Sequence, residues 1–310
     1  GYIFNRGRNT IAVSKHHWHI LGAGAIGCLF GQQLAAGGCQ VTLLLRKAPA
    51  QPMGMLSVES GGTRRDEPMQ LSATSEAGPI DLLLVTTKAQ DIETALSSVR
   101  HRLNDATDIV LGANGMGFIA GARAMLPANR IFVCTTTEGA HRIGPLHIRH
   151  AGRGLTRIGN VNGGDPPAWF ESWQAAPIQC QWEQDINAAL WHKLALNCAI
   201  NPLTALHRCN NGTLADDKTL SQQVAILCDE IAAVSRARGS QETAAQVHTT
   251  VAKVIDATAS NRSSMLQDVE AGRATEIDFI TGYLVSEATR LGIAVPANRS
   301  LLAKVKAIDY

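Results

Sequence analysis

Three glycines at positions 22, 24 and 27 spell G-x-G-x-x-G within WHILGAGAIG, where a short apolar run meets a helix-forming one. Glycines at that spacing handle phosphates with backbone alone. The first permits a tight turn and the second lets the chain approach a pyrophosphate. The third lets the following helix pack close to the sheet, with its N-terminus toward the anion. The strand–turn–helix context is what gives the pattern weight in a chain with 28 glycines. Gly22, Gly24, Ala25, Ile26 and Gly27 are thus the candidate dinucleotide cradle. At the end of the second apolar run, where a carboxylate would accept hydrogen bonds from a ribose 2′-hydroxyl, stand Arg46 and Lys47. A guanidinium there suits a 2′-phosphate, so the expected cofactor is NADPH rather than NADH.

A second constellation lies in LWHKLALNCAINPLTAL, residues 190–206, where Lys193, Asn197 and Asn201 recur every fourth residue. On a helix they form one narrow stripe about 12 Å long, flanked by apolar residues. The spacing leaves two readings open, the wet face of an amphipathic helix or a line of polar groups turned to a ligand. Pro202 is expected to kink or end the helix at Asn201. Two further candidates are Lys88, which closes DLLLVTTK, and Asn114, which closes DIVLGAN. Ligands of open α/β sheets bind outside the carboxyl ends of strands, although polar residues in any strand-to-helix loop look the same.

The elements that must position these residues follow from periodicity. Strands are expected from Trp18 to the glycine turn and at 40–46, 56–60, 81–88, 108–114 and 130–137. Helices are expected through Leu34, at 90–100 and at 117–125. That alternation argues for βαβ units and a mainly parallel sheet. HHWH is a poor opening for a central strand, so the first strand should be short, with its histidines at or outside the sheet edge. GPLHIRHAGRGLTRIG reads as a hairpin. Beyond about residue 185 strand signals vanish and helical patterns occupy 186–206, 219–238, 243–260 and 264–291. The organisation expected is an extension of unknown structure over 1–17, a Rossmann NADP-binding domain over 18–183 and an all-helical domain over 184–310. The fold class is α/β, a Rossmann-type doubly wound sheet followed by an all-helical domain.

Composition narrows the classes. Of 310 residues 45% are hydrophobic and 17% charged, with a formal charge of +2, so nothing favours nucleic acid or an acidic membrane surface. Seven cysteines without a C-x-x-C suit reduced thiols, and the histidines have no ligand spacing, so no metal site is expected. With no apolar run of membrane-spanning length and no signal-peptide pattern, the expectation is a soluble cytoplasmic protein. Homodimer and monomer both stay open.

From about Trp18 to about residue 305 the chain resembles the ketopantoate reductases. The most specific stretches are the glycine turn, VTTKAQD, NGMG, TTTEGAHR, LWHKLALNCAINPLTAL, NGTL and NRSSMLQDVEAGRATEIDFITG. The resemblance implies a Rossmann domain joined to a helical domain like that of the 6-phosphogluconate dehydrogenases. It also implies reduction of 2-dehydropantoate to (R)-pantoate with NADPH, on the route to pantothenate and coenzyme A. Carried over residue by residue, it makes Lys193 the catalytic acid and has Glu276 grip the substrate's terminal hydroxyl. Asn114, Asn197, Asn201, Asn261 and Ser264 would contact substrate. Arg46, Lys88, Asn114 and Glu276 would serve the cofactor beside the glycine turn. By itself Glu276 would read as a surface helix charge beside Asp278, and Ser264 also fits a helix N-cap.

The chemistry is coherent. Reducing a 2-keto acid needs a hydride at carbon and a proton at oxygen, and a lysine ammonium can polarise that oxygen and then protonate it. Two alternatives share the fold: a reductase of another short branched 2-keto acid or an imine, and a non-catalytic NADP(H)-sensing protein.

Overall fold

The computed structural model describes residues 16–309. Most of the expected extension therefore lies outside the described residues. The chain divides into two compact units that interleave in sequence. One runs through Thr87 and adds Thr94–Ala113 and Met125–Ile186. The other takes Lys88–Glu93 and Asn114–Ala124 and then everything from Asn187 onward.

The first unit is built on one sheet. Its strands are β1 (His17–Leu21), β2 (Gln40–Leu45), β3 (Met53–Ser60), β4 (Thr63–Ala73), β5 (Leu82–Val85), β6 (Asp108–Leu111), β7 (Ile131–Thr136), β8 (Gly139–Gly144), β9 (His147–Gly152), β10 (Thr156–Asn160) and β11 (Cys180–Trp182). Their order is β11-β10-β7-β6-β5-β1-β2-β4-β3-β9-β8. The central run β7-β6-β5-β1-β2 is parallel, as βαβ crossovers require, and β8–β9 form the expected hairpin. Helix α1 (Ala25–Ala36) packs on the face that carries Trp18 and Ile20. Beyond it the chain adds α2 (Ile92–Val99), α3 (Phe118–Met125) and α4 (Phe170–Ala175). The core of that face is aromatic. Trp18 is fully buried, lies edge-on to Trp169 and Trp173, and donates from Nε1 to Ser172 Oγ at 3.0 Å.

One expectation fails here and one strand is unforeseen, each for an identifiable reason. The histidines do not sit at or outside a sheet edge. His17 and His19 are inside β1, which starts one residue before the expected domain start and pairs with β2 on one side and β5 on the other. The sheet face they occupy is polar, and His17 Nε2 bonds to Thr42 Oγ1 at 2.8 Å, so imidazoles are accommodated mid-sheet. The whole of β4 is the second surprise. Its first half, TRRDEP, is charged and contains Pro68, which argues against a strand. Here β2 pairs only with Gln70–Ala73, so Pro68 faces β3 alone and no donor is demanded on its other side.

The second unit is helical: α5 (Ile186–His207), α6 (Thr213–Asp216), α7 (Lys218–Arg238), α8 (Gln241–Ala257), α9 (Ser264–Glu270), α10 (Thr281–Leu291) and α11 (Pro296–Lys306). Trp191 of α5 fixes α7. Its Nε1 donates to Ser235 Oγ at 3.0 Å, and the Arg238 guanidinium lies 4.5 Å from its ring centre. Asp217 caps α7 through Leu220 N, and the Glu230 carboxylate accepts the first amides of α11, from Ala297 and Asn298.

Two helix expectations are corrected. Pro202 neither ends nor interrupts α5, which continues to His207. A proline there removes the donor to the carbonyl four residues back and crowds that carbonyl, but Leu203, Thr204 and Ala205 are buried beyond it, so packing holds the last turn. The pattern at 264–291 is not one helix. Gly272 takes φ +63° after α9, Arg273 N closes on Asp268 O at 2.8 Å, and the chain resumes as a short 3-10 turn at Ile277–Phe279 before α10. Glu276 therefore sits at the head of a turn instead of on a helix face.

Candidate active site

In the first unit, Gly22 has φ +113°, and a Cβ there would lie 2.9 Å from the Thr86 carbonyl carbon and the Thr87 nitrogen. Thr86 Oγ1 donates to Gly22 O at 2.8 Å and ties the turn to the end of β5. Gly27 is closed in: a Cβ would stand 2.0 Å from Gly22 O. Gly24 is the opposite, with no heavy atom within 4 Å of where its Cβ would point. It is the N-cap of α1, which has no side-chain cap and no acidic residue in its first turn. Amides of Ala25, Ile26 and Gly27 belong to the first turn and lack carbonyl partners within the helix. Open space beside uncapped helix amides fits a phosphate. Arg46 is exposed and directly follows β2, the neighbour of the strand that delivers Gly22.

In the second unit, Lys193, Asn114 and Glu276 form a continuous chain. Lys193 Nζ donates to Asn114 Oδ1 at 3.1 Å, and Asn114 Nδ2 donates to Glu276 Oε2 at 3.2 Å. The other carboxyl oxygen, Oε1, accepts from Ala89 N at 2.9 Å. Beside it Lys88 Nζ is held by Asp268 Oδ2 at 2.7 Å and Ala274 O at 2.8 Å. Asp268, only 8% exposed, also accepts from Arg273 Nε at 3.0 Å. The NGMG stretch docks here through backbone, Met116 N donating to Phe279 O at 2.9 Å. A Cβ on Gly115 would come 2.2 Å from that same oxygen, which is why the approach needs glycine.

Asn197 and Asn201 lie half-buried on the line of α5 that starts at Lys193, with buried residues on either side, so the stripe is narrow. Asn201 O accepts from Thr204 Oγ1, which in turn bonds Ser263 Oγ at 2.7 Å. The N-cap of α9 is Ser263, whose Oγ accepts from Leu266 N, and not Ser264. Ser264 is the first residue of that helix and is exposed, as is Asn261 just before it. The structure thus joins Lys193, Asn114 and Glu276, sets Lys88 next to them, and leaves Asn261 and Ser264 on open surface. Sequence reasoning missed Asp268, Thr86 and the Ala89 amide. None carries a spacing signal, because each acts through a partner distant in sequence.

Two family models match the chain. One described as ketopantoate reductase PanE/ApbA matches residues 18–163, and one described as its C terminal matches residues 185–309. The chain belongs to the ketopantoate reductase family. It is 38% identical over 292 residues to the 2-dehydropantoate 2-reductase of Vibrio cholerae, a match that covers 94% of this chain and 97% of the relative. The probable 2-dehydropantoate 2-reductase of Bacillus subtilis superposes with a TM-score of 0.82 at 29% identity, covering 95% of this chain and 100% of that one. A D-mandelate dehydrogenase in ternary complex with NADH and anilino(oxo)acetate shares the fold, with a TM-score of 0.82 at 23% identity over 94% of this chain and 97% of the other. Ketopantoate reductases use a nicotinamide cofactor, and the turn at Gly22–Gly27 has the backbone donors and the open space to take its pyrophosphate.

Burial pushes the Glu276 carboxyl above its usual range, against the pull of the Ala89 amide, Asn114 and Lys88, and with a further push from Asp268. A carboxyl group raised in the folded state contributes stability that is whole below the unfolded value of about 4.3 and is lost as pH rises through the folded value. Glu276→Gln cannot ionise. Its melting temperature should therefore gain on that of the unsubstituted chain as pH is raised from 4 to 8. A constant difference across that range would contradict the shift.

Proposed function

We propose that this chain reduces 2-dehydropantoate to (R)-pantoate with NADPH, on the route to pantothenate and coenzyme A, with Lys193 as the proton donor. In this reading residues 18–183 bind the cofactor and 184–310 supply the groups that act on substrate. The observation that carries it is the Lys193–Asn114–Glu276 chain, a cation held by an amide that is itself held by a carboxyl group. Identity of 38% to the Vibrio cholerae 2-dehydropantoate 2-reductase supports the substrate.

When bound, the nicotinamide supplies the hydride for the carbonyl carbon. Lys193 supplies the rest. Its ammonium donates to the carbonyl oxygen, stabilises the charge that builds there and passes it a proton, so hydride plus proton convert the ketone into a hydroxyl. Asn114 Oδ1 accepts from Nζ at 3.1 Å and so fixes the place of the ammonium that acts on the carbonyl oxygen. Asn197 and Asn201 offer amide donors and acceptors without fixed charge, and Asn261 and Ser264 add outer contacts. Glu276 accepts the terminal hydroxyl. Its raised carboxyl repels an anionic substrate less than a free carboxylate would.

Arg46 makes the cofactor choice. Losing a charge-assisted contact to the 2′-phosphate should raise the NADPH KM of Arg46→Ala about tenfold or more while NADH is little affected. Equal effects on both would remove the assignment. The substrate is tested by NADPH oxidation with 2-dehydropantoate beside a panel of other 2-keto acids, where kcat/KM should favour 2-dehydropantoate by at least about tenfold. Preference for another branched 2-keto acid would assign a sibling substrate. No oxidation with any of them would make the chain a cofactor-sensing protein.

A further inference from the structure

The polar sheet face that admits His17 and His19 also carries a cavity of about 430 Å³, lined among others by His17, His19, Thr42, Gln70, Ser72 and Arg102. All of these belong to the first unit. Arg102 is only 7% exposed, yet its hydrogen bonds go to neutral acceptors: Nε to Gly78 O at 2.9 Å, and Nη1 to Ser72 Oγ at 3.3 Å and Ala73 O at 3.5 Å. Glu76 is the carboxylate whose charge reaches it, but both of its oxygens are taken, by Ala73 N at 2.9 Å and Ser72 Oγ at 2.8 Å. A buried guanidinium without an ion-pair partner among the described residues is a costly arrangement that an anion would relieve.

Glu76 lines the same cavity, and apart from that carboxylate the side chains around Arg102 are biased toward donors. Thr42 Oγ1 gives its only proton to Gln70 Oε1 at 3.1 Å, so it must accept from His17 Nε2, and Gln70 keeps both amide protons free of that bond. The His17 and His19 rings stack at 4.2 Å between centres. His19, 6% exposed, keeps Nδ1 without a partner among the described residues. Burial is the leading cause that holds both imidazoles below their usual range, His19 at about 3, with the Arg102 charge acting in the same direction. The one proton of a neutral His17 ring is committed to Thr42 through Nε2, whereas a neutral His19 ring keeps one proton to donate.

We propose that this cavity is a second anion site, distinct from the glycine turn, which takes a small oxyanion (a phosphate or a carboxylate) on Arg102, Gln70 and His19. The test is a titration of inorganic phosphate into the enzyme saturated with NADP+ at pH 7, followed through the ring resonances of His17 and His19. Acetate in a parallel arm separates a carboxylate ligand from a phosphate. Saturable shifts of both histidines are expected with at least one anion. Binding should weaken about tenfold or more in Arg102→Gln, which loses the charge. Because Arg102 is buried, Gln70→Glu provides the second arm: Gln70 is exposed, and glutamate keeps the acceptor for Thr42 while adding like charge. It should weaken binding similarly. Arg46→Ala should leave these shifts unchanged. No saturable shift with either anion, or shifts that Gln70→Glu leaves intact, would overturn the proposal.

Discussion

Replacing Lys193 with alanine should lower kcat by about 10²–10⁴, the span of a positioned general acid, with a smaller effect on the NADPH KM. The expectation rests on position as well as residue type. Lys193 is half-buried on α5, and Asn114 accepts from its Nζ at 3.1 Å, so the ammonium is held in place before a ligand arrives. Lys88, the other lysine of the constellation, is committed to Asp268 Oδ2 at 2.7 Å and to Ala274 O at 2.8 Å. Single-turnover measurement separates the loss of chemistry from a loss of binding. A rate within about threefold of the unsubstituted enzyme would mean that another group delivers the proton.

The second large effect divides the glycine turn. Gly27→Ala would place a methyl group 2.0 Å from Gly22 O and 2.5 Å from Thr86 Oγ1. The obstacle is backbone, so the turn itself must move. Unfolding free energy should fall by about 1–3 kcal/mol, and NADPH binding should weaken with it. Gly24→Ala meets no atom within 4 Å, so the fold should hold to within about 1 kcal/mol, the cost of alanine at an N-cap. Cofactor binding should nevertheless drop about tenfold or more, because the methyl group fills the space open to a pyrophosphate. Thermal melts and fluorescence titration with NADPH separate the two outcomes. Unimpaired NADPH binding by Gly24→Ala would place the phosphates elsewhere.

What was legible in the sequence was what local pattern controls. G-x-G-x-x-G between an apolar run and a helix located the turn, and 3.6-residue periodicity located α5, α7 and α8 nearly to their ends. Errors arose where a distant partner overrides a local signal. Pro68 and the charges around it hide β4, which exists because β3 pairs along its length. His17 and His19 look unfit for a central strand until Thr42 and Gln70 make that face polar. Pro202 signals an end that buried packing overrides, and Gly272 breaks a periodic run that read as one helix. The same holds at the candidate site. Lys193, Asn197 and Asn201 share a line by helix geometry, but the contact from Asn114 to Glu276 spans 162 residues and has no sequence signature.

The most direct test of Lys193 as proton donor is the pH dependence of hydride transfer, followed as NADPH oxidation in single turnovers with 2-dehydropantoate. A required ammonium predicts a rate that is level at low pH and falls as Lys193 loses its proton, with that limb absent and the rate uniformly low in Lys193→Ala. An identical profile and rate in the two proteins would contradict the account.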